Sequence, residues 1–274
     1  MADVQPIPGA AAATASAAGE RALVVADVHA GLECALRYER GVELESGARR
    51  RRDRLLGLMS RIEADRVIVV GDLAHRISAP EGEELAELEA LIGAVTKRVP
   101  LTLVQGNHDP GVAAEFDDQL DVRPADGYRF GDIGLFHGHT WPSPEVLNAS
   151  IICTGHEHPQ VTLSDEVGGS RTERAWLRGP LEKSGFVEDV EMSDTEWASP
   201  ELVVFPAFND RSGGTSVNID GQSFLSPHLP GALESAQHIS RMGRVWVRFA
   251  RSDSDDILTF ASPSTKAVAP PPLE

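Results

Sequence analysis

The sequence predicts an α/β fold in which short buried strands alternate with amphipathic helices. Three observations lead to this prediction. Before about residue 160, five apolar runs have the length of buried strands, and two segments between them have helical periodicity. After that point, the chain holds further strand-like runs separated by Gly, Ser and Pro clusters. Strands that alternate with helices pack as layers around a sheet, which defines this fold class.

The predicted strands are runs of Val, Ile and Leu bounded by polar or turn-forming residues. The early ones are RALVVA (21–26), RVIVV (66–70), PLTLV (100–104), IGLFH (133–137) and SIICT (150–154). The later ones are VTLSD, RAWL, ELVVF, RVWVRFA and DILTF. In the later half, only LPGALESAQHISRM has a candidate helical pattern.

Two helices are predicted between the first three strands. The first has Ser46 as a candidate N-cap, and its apolar residues recur at helical spacing: Leu55, Leu58, Met59 and Ile62. The second begins with acidic residues and ends with Lys97 and Arg98, as the helix dipole favours. Its apolar face consists of Leu85, Leu88, Leu91, Ile92 and Val95.

We expect a single domain over residues 21–262. Residues 1–20 are rich in Ala, Pro and Gly and lack the basic start of a secretory signal, so we expect a disordered lead-in. Residues 263–274 are expected to form a flexible tail. No apolar run approaches the roughly 18 residues that a membrane span needs, so no membrane association is expected.

The charge and cysteine content indicate the environment of the protein. The net charge is −17, and the only lysines are Lys97, Lys183 and Lys266. An acidic surplus with Arg in place of Lys favours a halophilic protein over the alternative of an acidic protein from a GC-rich genome. This charge argues against broad, sequence-independent nucleic-acid binding. Cys34 and Cys153 make no disulfide framework, so a cytoplasmic location is expected.

Polar side chains that can bind metals follow all five early strands. They lie in DVH (27–29), GD (71–72), GNHD (106–109), HGH (137–139) and GHEH (155–158). The carboxyl ends of parallel strands meet at one sheet edge, and residues i and i+2 of an extended segment point to the same side. We therefore expect seven candidate ligands to converge: Asp27, His29, Asp72, Asn107, His137, His156 and His158. Carboxylate and imidazole ligands suit Mn²⁺, Fe or Zn²⁺, and seven ligands fit two ions that share one carboxylate.

This ordered pattern resembles the calcineurin-like metallophosphoesterase superfamily over residues 21–160. Further along, RAWLRG and VVFPAFNDRSGGT look like the archaeal branch related to DNA-ligase-associated phosphoesterases. The resemblance implies a four-layer α/β-β/α sandwich of two mixed sheets flanked by helices. It also implies a phosphoester substrate, which includes nucleotides and nucleic acids, and a DNA-repair partner protein as a family-level expectation.

The resemblance implies a role for each candidate residue. Asp27, His29 and His158 would hold a first metal, Asn107, His137 and His156 a second, and Asp72 would bridge both. The ions would be Mn²⁺, with Fe or Zn²⁺ as alternatives. A water or hydroxide between them would attack phosphorus, with His108 as general acid and Asp109 fixing its orientation.

Some alternatives stay open from the sequence. The expected activity is hydrolysis of phosphodiesters in preference to monoesters. The other candidates are a DNA or RNA nuclease acting in repair and a metal-binding scaffold that docks a partner. His75 borders the site or serves a structural role, and His139 is a weaker candidate than His137 for the same ligand position. The arginine run at 48–54 is interpreted as a solvated helix face rather than as a nucleic-acid contact, which is the alternative.

Overall fold

The fold is known from a computed structural model that describes residues 2–164, 168–186, 197–219, 222–229, 231–232, 246–249 and 257–259. Its helices are α1 (Leu32–Arg40), α2 (Ala48–Arg61), α3 (Gly82–Thr96), α4 (Pro110–Glu115) and α5 (Pro144–Leu147). The strands before α5 are β1 (Asp3–Pro6), β2 (Ala13–Ala17), β3 (Glu20–Val25), β4 (Arg66–Val70), β5 (Leu101–Val104), β6 (Asp121–Arg123), β7 (Tyr128–Phe130) and β8 (Ile133–Leu135). After α5 come β9 (Ile151–Thr154), β10 (Gln160–Ser164), β11 (Ser170–Pro180), β12 (Glu201–Val204), β13 (Trp246–Phe249) and β14 (Ile257–Thr259).

The strands form two mixed sheets. The first has the order β1-β2-β3-β4-β5-β6, with β3 to β6 parallel and β1 to β3 antiparallel. The second has the order β14-β13-β11-β12-β9-β8-β7, and β10 pairs with β11 beside this path. Within it β8, β9 and β12 are parallel and the other pairs are antiparallel. The carboxyl ends of five parallel strands, three in one sheet and two in the other, therefore carry the sequence motifs.

Three apolar cores hold the layers together. One lies between the first sheet and helices α2 and α3, where Leu55 packs with Leu91 and Val69. The second joins residues of both sheets and includes Val24 and Cys153. The third collects residues of α5, the second sheet and the segment after residue 180. The structure thus shows the predicted α/β architecture of two mixed sheets with flanking helices.

The first 20 residues differ from the predicted disordered lead-in, because β1 and β2 form an antiparallel edge of the first sheet. The side chains of β2 alternate between buried and partly buried, and Ala13 and Ala15 are completely buried between the sheets. Alanine has low strand propensity, so these residues show no apolar pattern that predicts a strand. The pairing with β3 supplies the order that the local sequence does not predict.

The two predicted helices are present as α2 and α3, and the Ser46 hydroxyl accepts the amide N–H of Ala48 at 3.3 Å, beside the start of α2. Helix α1 was not predicted. The predicted helix LPGALESAQHISRM lies largely outside the described residues, and the predicted tail 263–274 lies wholly outside them. Among the helices that the structure describes, none has the length and apolarity to cross a bilayer.

The arginine run contributes to the interior through Arg51, which is 1% exposed. Its guanidinium donates two hydrogen bonds to Glu33 on α1 at 2.8 and 2.7 Å and two to Glu87 on α3 at 2.7 and 2.8 Å. Arg54 of the same run pairs with Asp210 at 3.0 Å. These two arginines therefore join the helices to one another and to the segment after β12.

Candidate functional site

The predicted ligands converge at the carboxyl ends of β3, β4 and β5 in the first sheet and β8 and β9 in the second. Three three-residue groups have ligand atoms within 4.8 Å of one another, and two of them consist of predicted ligands: Asp27, His29 and His158, and Asp72, His137 and His156. The third group is His29, His75 and His108. The first two groups are the residues that the motifs predict for two metal positions, apart from Asn107, whose amide was expected at the second.

The first group is compact. His158 Nε2 lies 3.1 Å from Asp27 Oδ1 and 3.4 Å from His29 Nε2. The Nδ1 atom of His158 donates to the carbonyl oxygen of Gly213 at 2.8 Å. A neutral imidazole that donates a hydrogen bond from Nδ1 has its lone pair on Nε2. This is the usual arrangement for a metal-binding histidine.

The second group follows the same pattern. His137 is completely buried, and its Nδ1 donates to the carbonyl oxygen of Val70 at 3.0 Å. Its Nε2 lies 3.3 Å from Asp72 Oδ1 and has no hydrogen-bond partner. The buried Oδ1 of Asn107 also has no partner. Because buried polar atoms are almost always hydrogen-bonded, unpartnered ligand atoms beside carboxylates fit a cation.

Asp72 belongs to the second group and also faces the first. Its Oδ2 is 3.7 Å from His29 Nε2 of the first group, and its Oδ1 is the atom that faces His137 of the second. Asp72 and Asp27 are almost completely buried, and the amide N–H of His156 donates to both oxygens of Asp27 at 3.3 and 3.2 Å. One carboxylate can thus contact cations in both positions.

The site holds its side chains by an unusual backbone conformation. Among the described residues, eight that are not glycine have positive φ, and five of these are predicted ligands: Asp27, His29, Asp72, His156 and His158, with φ between 44° and 69°. The sequence-based argument that i and i+2 residues of an extended strand share a side is therefore wrong in its geometry. The left-handed region is disfavoured for such residues and persists where surrounding contacts enforce it, as at many functional sites.

Burial and charge shift the pKa values of the histidines in opposite directions. Burial lowers the pKa of His29 to about 3 and that of His156 to about 4, so both are neutral and have lone pairs available. Burial also acts to lower the pKa of His137, but Asp72 and Asp27 outweigh it and raise this pKa to about 9. Burial acts to raise the pKa of Asp72, yet the neighbouring histidines, His137 foremost, hold it below its usual value. The site is built to keep its carboxylates ionised.

His108 lies at the edge of these groups with 24% of its side chain exposed. Its amide N–H donates to Asp72 Oδ1 at 3.1 Å, and its Nε2 is 3.9 Å from Asp72 Oδ2. Its Nδ1 is hydrogen-bonded to the carbonyl oxygen of His75. This contact fixes the ring so that Nε2 faces the site.

Asp109 does not hold His108 in the way the sequence predicts, because no hydrogen bond joins the two side chains in the described structure. The buried carboxylate instead accepts backbone amides, from Asp72 at 2.8 Å, Leu73 at 2.9 Å, Ala74 at 3.4 Å and Gly106 at 2.7 Å. Burial raises the pKa of Asp109 to about 6. Asp109 therefore shapes the loop that carries Asp72.

The structure distinguishes His75 from His139, the two other histidines considered from the sequence. His75 does border the site, since its ring lies 5.3 Å from that of His29 and stacks on that of His108 at 5.6 Å. His139 has its ring 5.4 Å from that of His137 but belongs to neither group that surrounds Asp72. Of the two, His137 is thus the one that faces both aspartates.

Glycines of the motifs leave room for the ligands. A Cβ atom at Gly71 would overlap the ring of His137, and one at Gly106 would overlap the carboxylate of Asp72. These two glycines are therefore required by close approach, and Gly71 also by its φ of 76°.

Two buried residues outside the predicted set support the site. Asn209 is 1% exposed and contacts the backbone that carries Asp27 and His29. Glu157, inside GHEH, accepts hydrogen bonds from the Thr215 hydroxyl at 2.9 Å and the Ser226 amide at 2.6 Å. Glu157 lies within GHEH and Asn209 within VVFPAFNDRSGGT, but neither was assigned a role, because each role depends on segments distant in the chain.

The comparisons with known proteins agree with this geometry. Among solved structures, the crystal structure of Pseudomonas putida nuclease MPE is similar, with a TM-score of 0.51 and 17% identity over 90% of this chain and 97% of that chain, which shows a shared fold. Yfce, a phosphoesterase from E. coli, matches with 22% identity over 53% of this chain and 73% of that chain, but its TM-score of 0.32 is too low to support an argument. No curated protein matches. The sequence model for calcineurin-like phosphoesterases matches residues 20–160, which is just over half of the chain. The chain belongs to the calcineurin-like phosphoesterase family.

Proposed function

We propose that the protein is a two-metal phosphodiesterase. Asp27, His29 and His158 hold the first ion, and Asp72 bridges it to the second. The second ion is held by Asn107, His137 and His156. Mn²⁺ is the proposed ion at both positions, since carboxylate, amide and imidazole ligands without thiolate suit it, and Fe or Zn²⁺ are the alternatives. Two bound ions would activate water and stabilise charge on a phosphoryl group.

One observation carries this proposal. The Nδ1 atom of the fully buried His137 donates a hydrogen bond to a backbone carbonyl. Its Nε2 has no hydrogen-bond partner and faces Asp72 Oδ1, 3.3 Å away. Asp72 in turn faces His29 at 3.7 Å. An imidazole lone pair facing a buried carboxylate is unfavourable without a proton or a cation between them. A cation that also reaches His29 explains why all three groups share this space.

His108 is proposed to protonate the leaving oxygen. It is the partly exposed histidine next to Asp72, and the carbonyl of His75 fixes its ring. A proton at Nε2 would lie on the side of the ring that faces the ions and the substrate. General-acid catalysis matters most for substrates whose leaving group is an alkoxide, such as natural phosphodiesters.

A nuclease is the second candidate, because nucleic acid is itself a phosphodiester and the similar structure from Pseudomonas putida is that of a nuclease. The net charge of −17 disfavours a sequence-independent nucleic-acid surface, so the diester is proposed to be small or presented in a specific way. A binding scaffold without activity is disfavoured by the complete set of ligands and by the retained His108.

The test is Mn²⁺-dependent hydrolysis of bis(p-nitrophenyl) phosphate in high-salt buffer, compared with p-nitrophenyl phosphate and with single-stranded DNA. Asp72→Asn is measured in parallel, with Asp118→Asn as a control at an exposed aspartate. We expect the wild type and Asp118→Asn to hydrolyse the diester and Asp72→Asn to lose activity. Calorimetry should show that Asp72→Asn binds both ions more weakly, because Asp72 contacts both positions. If Asp72→Asn binds two ions with unchanged affinity, the bridging role is wrong.

A further inference from the structure

The loop of residues 26–29 carries two of the proposed ligands and is held on one side by the loop after β4. The amide N–H of Asp27 donates to the carbonyl oxygen of Gly71 at 3.1 Å, and that of His29 donates to the carbonyl oxygen of Asp72 at 2.9 Å. These contacts leave the carbonyl groups of the loop pointing away from the first sheet. Their partners come from the distant segment after β12.

Asn209 supplies most of those partners. Its backbone N–H donates to the carbonyl oxygen of Asp27 at 3.0 Å. Its side-chain amide donates to the carbonyl oxygens of Val28 at 3.2 Å and His29 at 3.1 Å. Its own Oδ1 accepts the amide N–H of Arg211 at 2.9 Å. Every hydrogen-bonding atom of this buried side chain is therefore committed to backbone groups.

The conformation that Asn209 supports is one that the loop does not favour on its own. Asp27 has φ 56° and His29 has φ 44°, and residues other than glycine rarely adopt such values. In this conformation, the ligand atoms of both residues lie within 4.8 Å of His158. Without the side-chain amide, the carbonyl oxygen of Val28 would lose a donor and that of His29 would keep the amide N–H of Leu32, and the loop could relax toward ordinary φ values.

The same segment also contacts the third member of the group, since the carbonyl oxygen of Gly213 accepts the Nδ1 proton of His158. Residues 209–213 thus touch all three residues of the first group. In the second group, His137 is oriented by Val70 of β4 instead. Residues 209–213 therefore support the first position, while His137 of the second position is held by β4.

We propose that Asn209 is a positioning residue that sets the affinity of the first metal position. This inference rests on the proposed function, because it requires an ion at Asp27, His29 and His158. Hydrogen-bonding partners beyond the ligands themselves typically change metal affinity by about 10–100-fold. We expect the loss of the Asn209 amide to weaken the first ion by about this factor and to leave the second nearly unchanged.

The experiment is calorimetric titration of Mn²⁺ into metal-free full-length protein, with the electron paramagnetic resonance spectrum recorded at each step. The variant is Asn209→Ala, and Asn209→Ser retains a hydroxyl with less lost volume in case the alanine variant does not fold. Asn218→Ala is the matched control, because Asn218 makes two comparable hydrogen bonds to Thr162 in the same part of the chain. Circular dichroism establishes that each titrated variant is folded.

We expect the wild type and Asn218→Ala to bind two ions and to give the spectrum of a coupled pair. Asn209→Ala should bind one ion with near-native affinity and give the spectrum of isolated Mn²⁺ until the concentration is raised about 10–100-fold, when the pair signal returns. A folded Asn209 variant, Ala or Ser, with two native affinities would overturn the positioning role alone. A wild type that binds no ion would overturn the proposed function as well.

Discussion

Asp109→Asn separates two roles for the aspartate of GNHD. In the structure, each carboxylate oxygen accepts two backbone amides, Oδ2 from Asp72 and Gly106 and Oδ1 from Leu73 and Ala74. Asparagine keeps one oxygen and places an NH₂ group against the other pair, so two buried N–H groups lose their acceptor. An unsatisfied buried donor costs about 1–3 kcal/mol, which gives a loss of about 2–6 kcal/mol in the free energy of unfolding. Burial already raises the pKa of Asp109 to about 6, and a neutral residue avoids that penalty, so we expect the lower half of this range.

The assay combines urea unfolding with Mn²⁺ titration and with diester hydrolysis for leaving groups of different basicity. Because the displaced loop carries Asp72, we expect weaker binding of both ions and a rate loss that does not depend on the leaving group. The exposed Asp118→Asn serves as the control for the chemical change itself. The reasoning is refuted if Asp109→Asn has native stability and metal affinity but loses rate only for basic leaving groups, which is the behaviour expected of a partner of His108.

The remaining predictions concern the acid, the buried arginine and the acidic surface. His108→Ala should keep both ions but lower turnover by about 10²–10⁴-fold, with a smaller loss for leaving groups that need no proton; an equal loss for all substrates would argue against an acid role. Arg51→Met should lower the free energy of unfolding by about 3–5 kcal/mol, because it removes the shared cation of two buried glutamates, of which Glu33 keeps only Arg211; Arg49→Met on the exposed face should change it by less than about 0.5 kcal/mol. If the net charge of −17 reflects adaptation to salt, the melting temperature should rise from low to molar KCl, and a flat or falling curve would reject this interpretation.

The sequence was most informative where strand composition and polar motifs coincide. All five early strands are present, and each ends close to its predicted motif. Runs of Val, Ile and Leu specify buried strands by their own composition. The amphipathic helices α2 and α3 are also present, because their apolar spacing matches the face that packs on the first sheet. These are features that a short window of sequence encodes.

Features that depend on distant partners were not predictable in the same way. The alanines of β2 carry no strand signal, and only pairing with β3 orders them. The left-handed φ of Asp27 and His158 depends on hydrogen bonds from other loops, so an extended-strand argument placed the ligands together through the wrong geometry. Asn209 lies in the segment VVFPAFNDRSGGT, but its role could not be predicted, because it consists of tertiary contacts.

The contact between Asn209 and the loop at residues 26–29 spans 180 residues of chain, a separation that has a kinetic consequence. Contacts between residues far apart in sequence form slowly, since the intervening chain must lose its conformational freedom before they add stability. The proposed first metal position is therefore expected to be completed late in folding. During refolding, uptake of the ion at the first position would report a late step of assembly, and a fragment limited to residues 20–160 would contain every proposed ligand but not Asn209.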